Sequence, residues 1–140
     1  MEWTANRGMT PGMTSTTSSL LTRAPRVLGA LTVAYSAVVL ASPRTLAAPA
    51  GLTSDSGFVS PSVATAVRGL ALRDVASGAA MVVARRGTPL RTAIGVRVAS
   101  DLGDAALFAV AAPDAATRAK AVAVALGWGA LCAASARVAG

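Results

Sequence analysis

Two long apolar stretches of this chain carry charged residues near their centres, and this feature limits the possible folds more than any other. The stretches span about residues 62 to 84 and 90 to 112, and Arg73, Asp74 and Asp101 lie near their midpoints. In a membrane each central charge costs about 2.5 to 3.5 kcal/mol, whereas each large aliphatic residue returns only about 0.3 to 0.6 kcal/mol. Neither helix is expected to insert well alone, so we expect the charges to pair across the two.

Helical geometry decides which of these charges share a face, because an α-helix turns about 100° per residue. Arg97, Asp101 and Asp104 fall on one face of the second stretch, and Arg97 and Asp101 have the spacing of a pair that meets within one helix. Arg73 and Asp74 are neighbours on the first stretch, so we expect one of them to face that row. The sequence therefore predicts a polar intramembrane site of Arg73, Asp74, Arg97, Asp101 and Asp104.

Apart from Arg91, which is counted with the inner loop, the charges of the two stretches balance. The three cations are Arg68, Arg73 and Arg97, and three aspartates oppose them. The helix pair is therefore expected to be neutral as a unit. Arg68 lies on a further side of its helix and is expected to extend toward a membrane interface.

Composition favours helices in a membrane. The 140 residues are 54% hydrophobic but only 4% aromatic, and 34 of them are alanine. Alanine is the best helix former but adds little insertion energy, so the composition indicates helix more strongly than it indicates a membrane. A chain of this length is expected to form one domain.

The side-chain inventory excludes several classes of site. The net charge is +7, but the basic residues are scattered and few aromatic residues accompany them, so we expect no nucleic-acid partner. There is no histidine, and Cys132 is the single cysteine, which leaves no ligand set for zinc, copper or haem. No phosphate-binding glycine loop or nucleophile triad is present. We therefore predict no catalytic residue, no cofactor and no metal.

The order of segments predicts a disordered tail followed by a four-helix membrane domain. Residues 1–24 are rich in Thr, Ser, Gly and Met and lack apolar periodicity, which is typical of disorder. Residues 25–140 are predicted to form an all-α, four-transmembrane-helix bundle in the lipid bilayer. Its helices are expected at about 26–48, 62–84, 90–112 and 117–138.

Two alternatives concern the ends of this domain. Arg23 and Arg26, an apolar run and then Ala48-Pro49-Ala50 also resemble a cleaved signal peptide, although the prolines argue against cleavage. In the last helix Ala121, Ala125, Gly129 and Ala133 recur every four residues. Such a ridge of small residues favours close helix packing, with a second copy or another membrane protein as the partner, unless alanine content alone produces it.

The distribution of basic residues in the loops predicts the orientation. With the N-terminus inside, seven arginines lie at the inner ends of the helices, and Arg44, Arg118 and Lys120 lie at the outer ends. Basic residues concentrate on the cytoplasmic side of membrane proteins. We therefore expect both termini in the cytoplasm and a multi-pass location in the cell membrane.

The motifs of the charged helices resemble a known group. The run from Arg68 to Gly78, followed by Arg97 and the Asp101-Leu102-Gly103-Asp104 spacing, is similar to the small bacterial membrane proteins grouped as domain of unknown function 4267. The resemblance covers about residues 25 to 138 and implies a four-helix membrane protein with the polar helix pair as a family feature, but it implies no substrate. A looser resemblance to DoxX-like membrane proteins suggests redox chemistry, for which this sequence has no cofactor site.

Intramembrane ionisable residues are functional candidates, because pairing for stability alone brings little in a membrane. The first hypothesis is that the charged site binds or moves a proton, an ion or a small polar solute, with Asp101 or Asp104 titrating. The alternatives are a non-catalytic partner subunit of a membrane complex and a membrane oxidoreductase-like protein. The opposing interpretation is that the charges only fix the register of two helices.

Overall fold

All regular secondary structure in the described part of the chain is helical. The computed structural model describes residues 15–140, with side chains from Thr22 onward, and this part contains five α-helices and no strand. The all-α class is therefore confirmed. The elements are α1 (Ser15–Ala41), α2 (Arg44–Ala47), α3 (Pro61–Val83), α4 (Thr88–Ala111), α5 (Ala115–Ser135) and a final 3₁₀ turn (Ala136–Val138).

The first helix starts and ends earlier than the sequence predicts. Residues 15–24, expected in the tail, belong to α1, while residues 1–14 lie outside the described residues. The helix passes through Pro25, which is buried. It ends at Ala41 because the residue before a proline is disfavoured in the α region, and Ser42 precedes Pro43. The predicted continuation to about residue 48 is instead the separate turn α2.

The other three long helices lie close to their predicted ranges, because strong local signals mark their ends. Ser60 caps α3, its hydroxyl accepting from the amide of Val63, and Pro61 occupies the first turn. Between α3 and α4 the chain turns at Gly87, whose φ of +90° few other residues adopt. Asp114 caps α5. Helices α3 and α4 consequently form the expected antiparallel hairpin.

Helices α1 and α3 pack through a pair of glycines. A β-carbon on Gly29 would lie 2.6 Å from the carbonyl oxygen of Gly78, and one on Gly78 would lie 2.7 Å from the carbonyl oxygen of Gly29. The two backbones therefore touch directly, which only glycine permits at both positions. With Val39 in the buried core as well, α1 packs as an integral part of the fold.

The interior has three layers. At the end of the bundle that holds the turn between α3 and α4, Met81, Ile94 and Cys132 belong to one buried apolar cluster. At the opposite end, Val39 and Val67 belong to a second. Between the two clusters lie the charged residues of α3 and α4, so the polar site occupies the middle layer of the bundle.

Two of the described helices are long and apolar enough to cross a membrane. They are Thr22–Ala41, within α1, and Ala115–Val138, which covers α5 and the 3₁₀ turn. Core helices of soluble proteins and signal sequences meet the same criterion, so this finding indicates a membrane location only weakly. Helices α3 and α4 do not meet it.

Candidate functional site: a charged row beside a cavity

The five predicted site residues lie together as one row of alternating charge. From one end to the other the order is Asp104, Arg73, Asp74, Arg97 and Asp101. The Nη2 atom of Arg73 lies 2.7 Å from Oδ2 of Asp104 and 2.8 Å from Oδ1 of Asp74. The same Oδ1 lies 2.7 Å from Nη1 of Arg97. Each arginine thus lies between two aspartates, and the row crosses from α3 to α4 twice.

Arg97 is the centre of the buried part of the row. Its side chain is 2% exposed, and it donates to both carboxylate oxygens of Asp101 through Nε and Nη2. Its remaining Nη1 also donates to the hydroxyl of Ser77 at 3.3 Å. The planar guanidinium suits this forked contact with a carboxylate. Arg97 and Asp101 therefore satisfy each other one turn apart on α4, in the spacing that the sequence indicates.

Arg68 lies apart from the row. Arg68 is exposed on α3 and donates from Nε to the carbonyl oxygen of Leu40 at 3.4 Å, near the end of α1. The end of α1 exposes carbonyl groups without helical partners, which attract a cation. Two arginines against three aspartates leave the row with a net charge of −1.

The surplus charge faces a cavity. A half-enclosed space of about 690 Å³ lies between α1, α3, α4 and α5, and Asp74, Arg97, Asp101 and Asp104 are all part of its wall. The rest of the wall is mainly apolar and includes the rings of Tyr35, Phe108 and Trp128. Ligand sites in proteins are typically of this size and this composition.

The cavity lies between α1 and α5, which make few contacts with each other. Helix α1 packs along α3, and α4 packs along α5. The indole Nε1 of Trp128 donates to the hydroxyl of Thr32 at 3.1 Å, which joins α5 to α1. Tyr35 on α1 and Val124 on α5 both line the cavity and are more than half exposed.

The predicted ridge of small residues on α5 lies mostly inside the bundle. A β-carbon on Gly129 would lie 3.1 Å from Cβ of Asp101, so this glycine lets α5 approach the charged row. Ala121 and Ala125 line the cavity, and Ala133 alone of the four is exposed. Three of the four positions are thus used within the chain, and the ridge does not form one continuous surface for a partner.

Several site residues are not predicted by the sequence. Ser77, Thr32, Tyr35 and Trp128 all contact the row or the cavity. One signal was available, because an indole N–H in the middle of an apolar helix needs a hydrogen-bond acceptor and so indicates a polar partner on another helix. Nothing in the sequence pattern distinguishes Ser77 or Tyr35 from other residues of their helices.

Comparison with known proteins adds no relative: no family model, no curated protein and no solved structure matches the chain. The resemblance to domain of unknown function 4267 therefore rests on the quoted motifs alone. The function is therefore inferred from the geometry of the row and the cavity.

Proposed function

We propose that the protein is an integral membrane protein whose four long helices cross the bilayer and whose cavity binds a small solute beside the charged row. The observation that carries the proposal is the direction of the side chains on α3 and α4. These helices fail as membrane spans by composition because of their charges, yet five of those charges pair with one another between the helices, and within this row only Arg73 is as much as 36% exposed.

The outward surface of the bundle supports a lipid environment. Each long helix exposes large aliphatic side chains by 45% to 81% of their area. A protein in water would cover this surface with polar residues. The exposed aliphatic residues include Val27, Leu31 and Val38 on α1, Leu72 and Val83 on α3, Leu102, Leu107 and Val110 on α4, and Val124, Leu126 and Leu131 on α5.

Inward pairing also lowers the cost of crossing for the hairpin. The charges of a membrane helix are expensive when they face lipid, and polar groups are tolerated where they pair or line a cavity. Helices α3 and α4 enter as one hairpin, with a turn of a few residues between them, so their charges can pair before either helix meets the bilayer alone. Together with α1 and α5 this gives four spans.

The binding role follows from the contact of the row with open space. A row that served only to join α3 to α4 would be expected to lie wholly between them. Here four of its five members line a cavity of about 690 Å³. The arrangement supports binding of a solute that carries both charge and apolar surface, more than it supports a structural role alone.

The proposal is tested first by membrane extraction and then by cysteine labelling. The full chain should remain in the pellet when membranes are washed with alkaline carbonate. In a Cys132→Ala background, Ala125→Cys places a thiol in the cavity wall, and Ala123→Cys places one two residues away on the exposed face of α5. A polar maleimide should label position 125 but not position 123, since only a hydrated thiol forms the reactive thiolate.

Three results would contradict the proposal. Release of the chain by carbonate would mean that it is not integral to the membrane. Equal failure of both cysteines to react in retained protein would mean that no solute reaches the cavity. Labelling at position 123 alone would mean that α5 turns its exposed face to water, which rules out the proposed arrangement.

A further inference from the structure

The charges in the cavity wall are not balanced. The row has one carboxylate more than its arginines balance. The one other charged residue in the wall is Lys120, which is exposed and lies eight residues before Trp128, about 12 Å along α5. Its charge is near the outer water, where counterions screen it. The deep part of the cavity therefore has a net negative charge.

Two carboxylate oxygens of the row are available to a ligand. Asp74 uses Oδ1 for both arginines, and Asp104 uses Oδ2 for Arg73. Among the side chains and amides that the structure describes from Thr22 onward, none donates to Oδ2 of Asp74 or to Oδ1 of Asp104. Their side chains are 22% and 16% exposed, and both line the cavity. By contrast, both carboxylate oxygens of Asp101 are held by Arg97.

This difference changes which aspartates are able to contact a ligand. The sequence suggests Asp101 or Asp104 as the active group, but Asp101 is 3% exposed and bound on both oxygens by one arginine. The groups that present free acceptors are Asp74 and Asp104. Carboxylate oxygens are acceptors only, so the deep wall complements a positive charge.

The rest of the wall favours a large organic cation over a metal ion. Within the described residues no group of acidic side chains is arranged to ligate a metal. An inorganic ion in this cavity would lose its water without gaining enough oxygen ligands. The rings of Tyr35, Phe108 and Trp128 line the same space, and aromatic rings attract organic cations while also contacting their apolar groups.

The gap between α1 and α5 provides a route. Leu31, Tyr35 and Val124 border the cavity and are 51% to 73% exposed, so one side of the opening lies on the face that meets lipid in the proposed arrangement, while exposed Lys120 lies at its outer end. A ligand that partitions into the bilayer reaches this opening without crossing the water-facing ends of the bundle.

We propose that the cavity binds a hydrophobic monovalent organic cation, an ammonium or phosphonium with bulky apolar substituents, whose charge lies against Asp74 and Asp104 and whose apolar groups contact the aromatic wall. This inference rests on the proposed solute site and specifies its ligand. It predicts that the sign of the charge, rather than the shape of the ligand, decides binding.

Tetraphenylphosphonium and tetraphenylborate test this directly, since they have nearly the same shape and opposite charge. Binding to the purified full chain in a non-ionic detergent is measured by equilibrium dialysis in a sodium buffer. The substitution Trp3→Phe leaves Trp128 as the single tryptophan, so its fluorescence reports whether the probe is in the cavity. Tetraphenylphosphonium should bind and change this fluorescence, whereas tetraphenylborate should not.

The variant Asp104→Asn keeps the shape of the wall and removes the surplus charge. Arg73 retains Asp74 as a partner, so this variant is expected to fold. Its affinity for tetraphenylphosphonium should fall at least about tenfold, because an ion pair is strong in a site of low dielectric. The matched control is Asp55→Asn, which removes the same charge from an exposed loop residue and should leave the affinity unchanged.

The possible failures are distinguishable. If both probes bind equally and Asp104→Asn has no effect, the cavity takes solutes but does not select cations, so this inference is wrong and the proposed function stands. If neither probe binds although Ala125→Cys is labelled, the inference is again wrong. If neither binds and Ala125→Cys is also unreactive, both the inference and the proposed function fail.

Discussion

Arg97 is the residue on which the row depends most. It is almost completely buried and holds Asp101 on one side and Asp74 on the other. A buried arginine of this kind is tolerated only while its partners are present, and the same applies to the carboxylates around it. Asp101, with both oxygens on Arg97, has no other cation within reach among the ion pairs of the described residues.

We therefore predict that Arg97→Gln destabilises the fold by about 3 to 5 kcal/mol, the usual cost of leaving a buried charge without its partner. Unfolding in mixed micelles with increasing dodecyl sulfate measures this change. Arg68→Gln is the matched control on α3, since Arg68 is exposed and makes one contact with a carbonyl group. An equal loss in both variants would show that the charges contribute only as surface residues.

Asp114 lies outside the membrane-spanning segments and caps α5. Its carboxylate accepts from the amides of Thr117 and Ala116 at 2.9 Å and from the hydroxyl of Thr117 at 2.7 Å. These bonds, that of the Thr117 amide first, lower the pKa of Asp114 below its ordinary value of 3.8. A carboxyl with a lowered folded pKa stabilises the protein above its unfolded pKa, and this contribution disappears as the pH falls through the folded pKa.

The predicted consequence is acid-dependent stability at this cap. Replacing Asp114 with alanine should lower the melting temperature at neutral pH, and the difference from the unchanged protein should shrink as the pH falls below 3.8. Thermal unfolding followed by circular dichroism measures both. Asp55→Ala, in an exposed loop, should show neither effect. A difference that stays constant down to pH 2 would be inconsistent with a charged cap.

At the scale of elements, the glycine contact between α1 and α3 sets how closely these helices approach. A β-carbon on Gly78 would meet the backbone of Gly29 and lie 3.0 Å from a methyl group of Val33. Backbone atoms cannot rotate away as a side chain can. The contact thus fixes the position of α1 relative to the charged row on α3.

We predict that Gly78→Ala destabilises the protein by about 1 to 3 kcal/mol, the cost of overpacking a close contact. Gly69→Ala, on the same helix, is the control, because a β-carbon there meets nothing within 4 Å. That change should be neutral or stabilising, since alanine forms helix better than glycine. The melting temperatures of the two variants in detergent test this prediction. Equal melting temperatures would contradict the close contact between α1 and α3.

Some features of the helices can be predicted from the sequence, and others cannot. The turn after α3 and the cap of α5 follow from Gly87 and Asp114, whose local chemistry acts within a few residues. The pairing of Arg97 with Asp101 follows from helical spacing on α4, but the sequence predicts that only one of Arg73 and Asp74 faces the row, and both join it. The contact of Arg68 with the end of α1 and the existence of the cavity cannot be predicted from the sequence. Both depend on where α1 and α5 lie, and the sequence of an apolar, alanine-rich helix says little about which helices it packs against.

For the whole molecule, the decisive question is whether α3 and α4 cross the membrane. Four spans put the loop containing Asp55 outside and the turn containing Arg86 inside. Two spans, with only α1 and α5 crossing, would put both positions on the same side. The arginines at the inner ends of the helices favour the first arrangement.

We predict that Asp55→Cys and Arg86→Cys, each in a Cys132→Ala background, react from opposite sides of the membrane. An impermeant maleimide added to intact cells should label position 55, and position 86 should be labelled only after the cells are opened. Arg137→Cys, after α5, should behave like position 86. Labelling of positions 55 and 86 from the same side would rule out four spans.

The charged row has three aspartates and two arginines, so it tolerates the loss of an aspartate better than the loss of an arginine. Substituting any one aspartate leaves two arginines and two carboxylates, which still pair completely. Substituting either arginine leaves three carboxylates with one cation, which is costly in the interior. Random drift would therefore keep Arg73 and Arg97 but allow one of the three aspartates to be lost. One carboxylate is redundant for holding the helices together, so only a ligand or another selective demand would preserve all three.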